Sequence, residues 1–112
     1  MDIKQKATEL VSRMTTAEKA SICSGKNFWY MKSIPRLDLP EIMMTDGPHG
    51  LRKQAIKASN NELDQNIPAT CFPTASAAAC SFDRDLLYEI GKAIGEECRQ
   101  ESVAVLLGPG IN

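Results

Sequence analysis

Two apolar runs constrain this chain most. One is EIMMT, residues 41–45, and the other is VAVLL, residues 103–107. Neither alternates apolar with polar side chains. A strand with one face in water alternates, whereas a strand covered on both faces does not. Both runs are therefore read as strands buried on both sides. Between them Leu86, Ile90, Ile94 and Cys98 recur every four residues, with Leu87 beside them. That is the apolar stripe of a helix, capped at its start by Ser81 or Asp83. Strand, helix, strand in that order implies a parallel sheet and an α/β fold.

Gly91 and Gly95 flank the stripe, where the missing side chains would let a neighbouring element come close. This G-x-x-x-G is no membrane motif, because Glu89, Lys92, Glu96, Glu97 and Arg99 surround it. Glu96, Glu97, Asp83 and Asp85 are read as helix-start and solvent-face charges. A brief strand is expected over residues 70–72. The polar stretch 53–67 is expected to be a surface loop.

Ahead of these elements, Ala7, Leu10, Val11 and Met14 lie at i, i+3, i+4 and i+7, one apolar helical stripe. Thr15 and Glu18 then form the capping-box pattern that opens a second short helix. That helix is expected to run to about Ser24, with Gly25 as a left-handed stop. A single helix kinked at Thr15 is the alternative. Pro35 and Pro40 interrupt the next stretch, which fits no regular element. Trp29 and Tyr30 have two readings, a cover over a core or a stacking face for a sugar or base.

The stretch IMMTDGPHGLR, residues 42–52, is the candidate functional feature. A buried strand ends at Asp46 and enters a turn made stiff by Gly47, Pro48 and Gly50. In α/β folds, functional groups gather beyond the carboxyl ends of the strands. Asp46 stands at such an end, and so does the GPG turn after Leu107. Asp46 either presents a carboxylate to a ligand or merely holds its turn by accepting backbone amides. Arg52, a few residues on, is a weaker candidate. His49 reads as a turn residue.

Composition excludes several classes. With 112 residues the chain is at most one modest domain. Its 13 basic and 14 acidic residues nearly cancel and are scattered, so no nucleic-acid footprint appears. No apolar run is long enough to span a bilayer. The opening MDIKQKATEL is polar and lacks a signal-peptide core, so a cytoplasmic location is expected. Cys23, Cys71, Cys80 and Cys98 form no C-x-x-C pair, and no metal site or cofactor is expected. They are read as four small, buried, reduced thiols. A catalytic cysteine paired with His49 is the alternative, without a local signature.

Four segments taken together carry a resemblance: RMTTAEKASICSG, RLDLPEIMMTDGPHGLR, ATCFPTASAAACSFDRDLLYEIGKAIGEECR and VLLGPGIN. In this order they resemble the N-terminal part of glycoside hydrolase family 3, which includes many β-glucosidases and β-xylosidases. The resemblance spans nearly the whole chain. It implies the opening portion of a (β/α)8 barrel, residues 1–112 being a partial N-terminal barrel domain with no complete second domain. It also implies hydrolysis of a β-linked glucoside or related oligosaccharide with retention of configuration. By the same resemblance, Asp46 stands at the family position expected to bind hydroxyls of the terminal sugar in the glycon subsite.

A full barrel takes about 250 residues. The family's nucleophilic aspartate lies in an SDW-like motif on a later strand, and its acid/base glutamate comes from the second domain. Neither is here, so no catalytic residue is assigned within the chain. The remainder of the parent enzyme is its expected partner. The alternative is a standalone, non-catalytic sugar-binding or interaction module.

Overall fold

A computed structural model describes residues 2–54 and 66–110. The surface loop expected over 53–67 lies mostly outside the described residues. The chain divides into two compact units, residues 1–43 and 44–112.

In the first unit, helix α1 spans Ile3–Ser12 and helix α2 spans Thr16–Ile22. They are two helices rather than one kinked rod. The break is made by the capping box: Thr15 Oγ1 accepts the Glu18 amide at 3.2 Å, and Glu18 Oε2 accepts the Thr15 amide at 2.8 Å. Gly25 does not act as the left-handed stop, because α2 closes on Cys23 with ordinary right-handed geometry. Gly25 instead bridges to Met31, where a β-carbon would meet the Asn27 carbonyl oxygen at 2.7 Å.

Met14, Ile34 and Leu37 form the core of this unit, with Leu10, Ile22 and Leu39 packed against them. Ile34 and Leu37 belong to the segment expected to be irregular, and Pro35–Leu37 is one 3-10 turn. Arg36 ties that turn to the helices. Its Nε donates to Glu18 Oε1 at 3.1 Å, and its Nη2 donates to Glu18 Oε2 at 2.7 Å and to the Arg13 carbonyl at 3.0 Å. Strand β1, Tyr30–Met31, pairs antiparallel with the first residues of β2, Ile42–Asp46. Lys26 and Glu41 form an ion pair on the surface of this unit. Trp29 and Tyr30 are half-buried.

In the second unit the last residues of β2 pair in parallel with β3, Val105–Leu107. Asp46 stands opposite Leu107. Helix α4, Arg84–Gln100, makes the crossover. Asp83 is its cap, its Oδ1 accepting the amides of Asp85 and Leu86 at 3.0 Å each. Ile94 and Cys98 of the apolar stripe are buried, together with Leu51 and Val103. Lys53 Nζ reaches the end of α4, donating to the Glu101 carbonyl at 2.6 Å and to Glu101 Oε2 at 3.0 Å.

Several expectations fail here, each for a physical reason. Residues 70–72 form no strand, because their polar groups are taken by a side chain and a turn rather than by a β-ladder. A short helix, α3 (Ala75–Ala79), follows; Thr74 Oγ1 caps it by accepting the Ala77 amide at 3.3 Å. The run 103–107 is not buried throughout: Val103 is covered, but Val105 is 36% and Leu107 51% exposed. Among the described residues β3 has β2 as its one neighbour, so its other edge and much of its face are bare. Strand β2 alternates, with Met43 and Thr45 buried and Ile42, Met44 and Asp46 half-buried. Of the four cysteines, which are free, only Cys98 is buried. Burial pushes the Cys98 thiol pKa up, and neighbouring Glu97 adds to the shift.

Candidate functional site: the carboxyl ends of β2 and β3

Strand β2 holds the backbone of Asp46 from both sides. The Gly47 amide donates to the Leu107 carbonyl at 3.1 Å, and the Arg52 amide donates to the Asp46 carbonyl at 3.0 Å. One residue back, Thr45 is the most deeply buried side chain described, and its hydroxyl donates to the Arg52 carbonyl. The loop 46–52 thus leaves β2 and returns to it.

Glycines sit in this loop because there is no room for anything else. A β-carbon on Gly47 would overlap the Leu106 side chain and come within 2.7 Å of the Gly50 carbonyl oxygen. One on Gly108 would come within 2.6 Å of the Gly47 carbonyl oxygen, so the turns after the two parallel strands meet backbone to backbone. Gly50 has φ of +134°, and its missing side chain would run into the Thr70 carbonyl oxygen.

The carboxylate of Asp46 takes no part in closing this turn. Among the described residues it accepts no hydrogen bond and forms no ion pair. Backbone groups and the Thr45 hydroxyl close the loop instead. Asp46 is half-buried at the strand end with both oxygens available as acceptors. Arg52 lies in the same loop, exposed, and makes no ion pair among the described residues. The His49 carbonyl oxygen accepts the Phe72 amide at 2.8 Å, while its ring Nδ1 is buried without a partner among the described residues. It is a turn residue, as its sequence context indicates.

A broad apolar hollow of about 630 Å³ lies beside this turn, lined by Gly47, His49, Phe72, Ile94, Leu106 and Pro109 among others. Asp46 does not line it.

One residue with a structural role at this turn escaped the sequence reading. Glu97 is not a solvent-face charge: it is half-buried, and its Oε1 accepts the Thr70 amide at 3.1 Å and the Thr70 hydroxyl at 2.5 Å. The signal was present in its spacing. Position 97 is three past Ile94 and seven past Ile90, on the covered flank of the stripe.

A strand-end carboxylate beside a tight glycine turn, in a parallel α/β unit, defines a class in which polar small molecules are met at strand ends. The known proteins most like the chain in sequence and fold include glycosidases. The chain is 52% identical over all 112 residues to a thermostable β-glucosidase B of Acetivibrio thermocellus, covering 14% of it. It is 47% identical over 103 residues to an exo-α-(1→6)-L-arabinopyranosidase of Bifidobacterium longum, covering 91% of this chain and 14% of the relative. No protein-family model matches the chain.

Solved structures agree. The fold superposes on the family 3 β-glucosidase of Bifidobacterium adolescentis with a TM-score of 0.73 and 43% identity, over 91% of this chain and 14% of that one. It also superposes on β-glucosidase 3B of Thermotoga neapolitana, solved with α-D-glucose, with a TM-score of 0.79 and 33% identity, over 96% of this chain and 17% of that one. Over its whole length the chain matches the N-terminal part of glycoside hydrolase family 3 β-glucosidases. It spans 14% of the length of the first relatives it matches.

Proposed function

We propose that this chain is the opening part of a retaining β-glucosidase-type glycoside hydrolase, and that Asp46 forms one wall of its glycon pocket. The observation that carries the reading is the free carboxylate at the end of β2, in a chain 52% identical over its whole length to part of a β-glucosidase. Sugar hydroxyls are donors, and an ionised carboxylate accepts two of them at once through short, directional bonds. A strand followed by Gly47-Pro48 holds such a group in one direction, as recognition of one sugar among several requires.

Residues 1–112 then form an incomplete N-terminal barrel domain. The parallel β2–α4–β3 unit is one of the crossovers from which a (β/α)8 barrel is built. The substrate is a β-linked glucoside or a related oligosaccharide, with Arg52 a secondary contact. A retaining glycosidase needs two carboxyl groups about 5–5.5 Å apart across the scissile bond, and this reading draws both from the remainder of the enzyme.

The test uses the full-length gene product that carries this chain. Asp46→Ala removes an acceptor from charged hydrogen bonds worth roughly 1.5–3 kcal/mol each, so kcat/KM on a chromogenic β-glucoside is expected to fall at least tenfold. Asp46→Asn is expected to fall less, since half of its amide still accepts. Melting temperature is measured alongside. Unchanged kcat/KM in a well-folded Asp46→Ala enzyme would remove Asp46 from the site.

A further inference from the structure

The loop 46–52 is clamped at two places. Its base is closed by the Arg52 amide on the Asp46 carbonyl, at 3.0 Å. Its tip is held by residues 70–72: the Phe72 amide donates to the His49 carbonyl at 2.8 Å, and the Thr70 carbonyl lies hard against the Cα of Gly50. Residues 70–72 belong to no helix or strand. Thr70 is instead gripped by Glu97 of α4, whose Oε1 takes both its amide and its hydroxyl.

We propose that Glu97 is a positioning residue. It holds residues 70–72 against the tip of the 46–52 loop, and so sets the direction in which the Asp46 carboxylate leaves β2. The inference rests on the reading of Asp46 as a sugar contact. The other oxygen of Glu97, Oε2, is buried without a hydrogen-bond partner among the described residues. The charge strengthens the bond to the Thr70 hydroxyl, making the grip stiffer than a neutral amide would.

The experiment again uses the full-length gene product, with Glu97→Ala, Glu97→Gln and Thr70→Val. Hydrogen exchange is followed in the peptide covering residues 66–74, and glucose affinity is measured by competition. Glu97→Ala is expected to speed exchange at Thr70 and Phe72 by at least about tenfold and to weaken glucose by about tenfold. Glu97→Gln, whose amide oxygen still accepts the Thr70 amide, is expected to recover both to within about threefold. Thr70→Val removes the hydroxyl bond from the opposite side at an exposed position. It should shift both readouts in the same direction, which keeps the test decisive if Glu97→Ala does not fold.

Unchanged exchange at Thr70 and Phe72 overturns the positioning role whatever the catalysis does. A lower melting temperature with unchanged glucose affinity overturns it too, because that is the signature of a purely structural staple. Failure of the Asp46 reading is seen separately, as full activity of Asp46→Ala with wild-type exchange at residues 70–72.

Discussion

Glu18 and Asp46 are carboxylates in opposite surroundings. Glu18 is fully committed: it closes a helix cap and receives both arms of an Arg36 fork. The Arg36 hydrogen bonds, followed by the Thr15 amide, hold its pKa down to about 2 from an ordinary value of 4.5. A carboxyl depressed by folding stabilises the native state above its unfolded pKa, and the contribution is lost as pH falls through the folded value. The link between α2 and the Pro35–Leu37 turn should therefore weaken between pH 4.5 and about 2. An NMR titration of Glu18 should show the low midpoint, and Arg36→Ala should move it upward. An unmoved midpoint would mean that the fork does not govern this titration. Asp46, by contrast, has no partner among the described residues, as the sugar contact proposed for it requires.

At the scale of elements, α4 is the most informative. Its start is set by Asp83 and its covered face by Ile94 and Cys98, yet Leu86 is 44% and Leu87 43% exposed. A β-carbon placed on Gly91 or Gly95 meets nothing within 4 Å. Glycine in an open helix position costs about 1 kcal/mol relative to alanine. Gly91→Ala and Gly95→Ala are therefore expected to stabilise the isolated chain by about that much each in a denaturant melt. In the full-length protein the same changes should destabilise, since the expected neighbour would then pack on the bare glycine flank. The same sign in both settings would mean that no neighbour approaches there.

For the molecule as a whole, each unit has a small core and leaves apolar surface uncovered. In the second unit that surface is the open edge of β3, the exposed half of the α4 stripe and the hollow beside them. An open strand edge invites association, and a short chain has little stability in reserve. The 112-residue chain produced alone is expected to unfold at low denaturant, to self-associate in sedimentation and to show no β-glucosidase turnover above a mock preparation. A clean monomer with a sharp, cooperative transition would mean that the piece is self-sufficient. Turnover would require a carboxylate pair within it.

What could be read from the sequence was local or periodic. The capping box at Thr15 and Glu18, the cap at Asp83, the α4 stripe and the strand ending at Asp46 depend on side chains a few residues apart, so spacing alone determines them. What tertiary structure decided involves groups distant along the chain. Pro35–Leu37 is regular because Arg36 reaches back to Glu18, 18 residues earlier. Residues 70–72 are not a strand because Glu97, 27 residues on, takes the Thr70 amide before any strand could. The run 103–107 looks fully buried because apolar composition records what a segment can pack against. Burial also needs the neighbours to be there, and around β3 the described residues supply only one side.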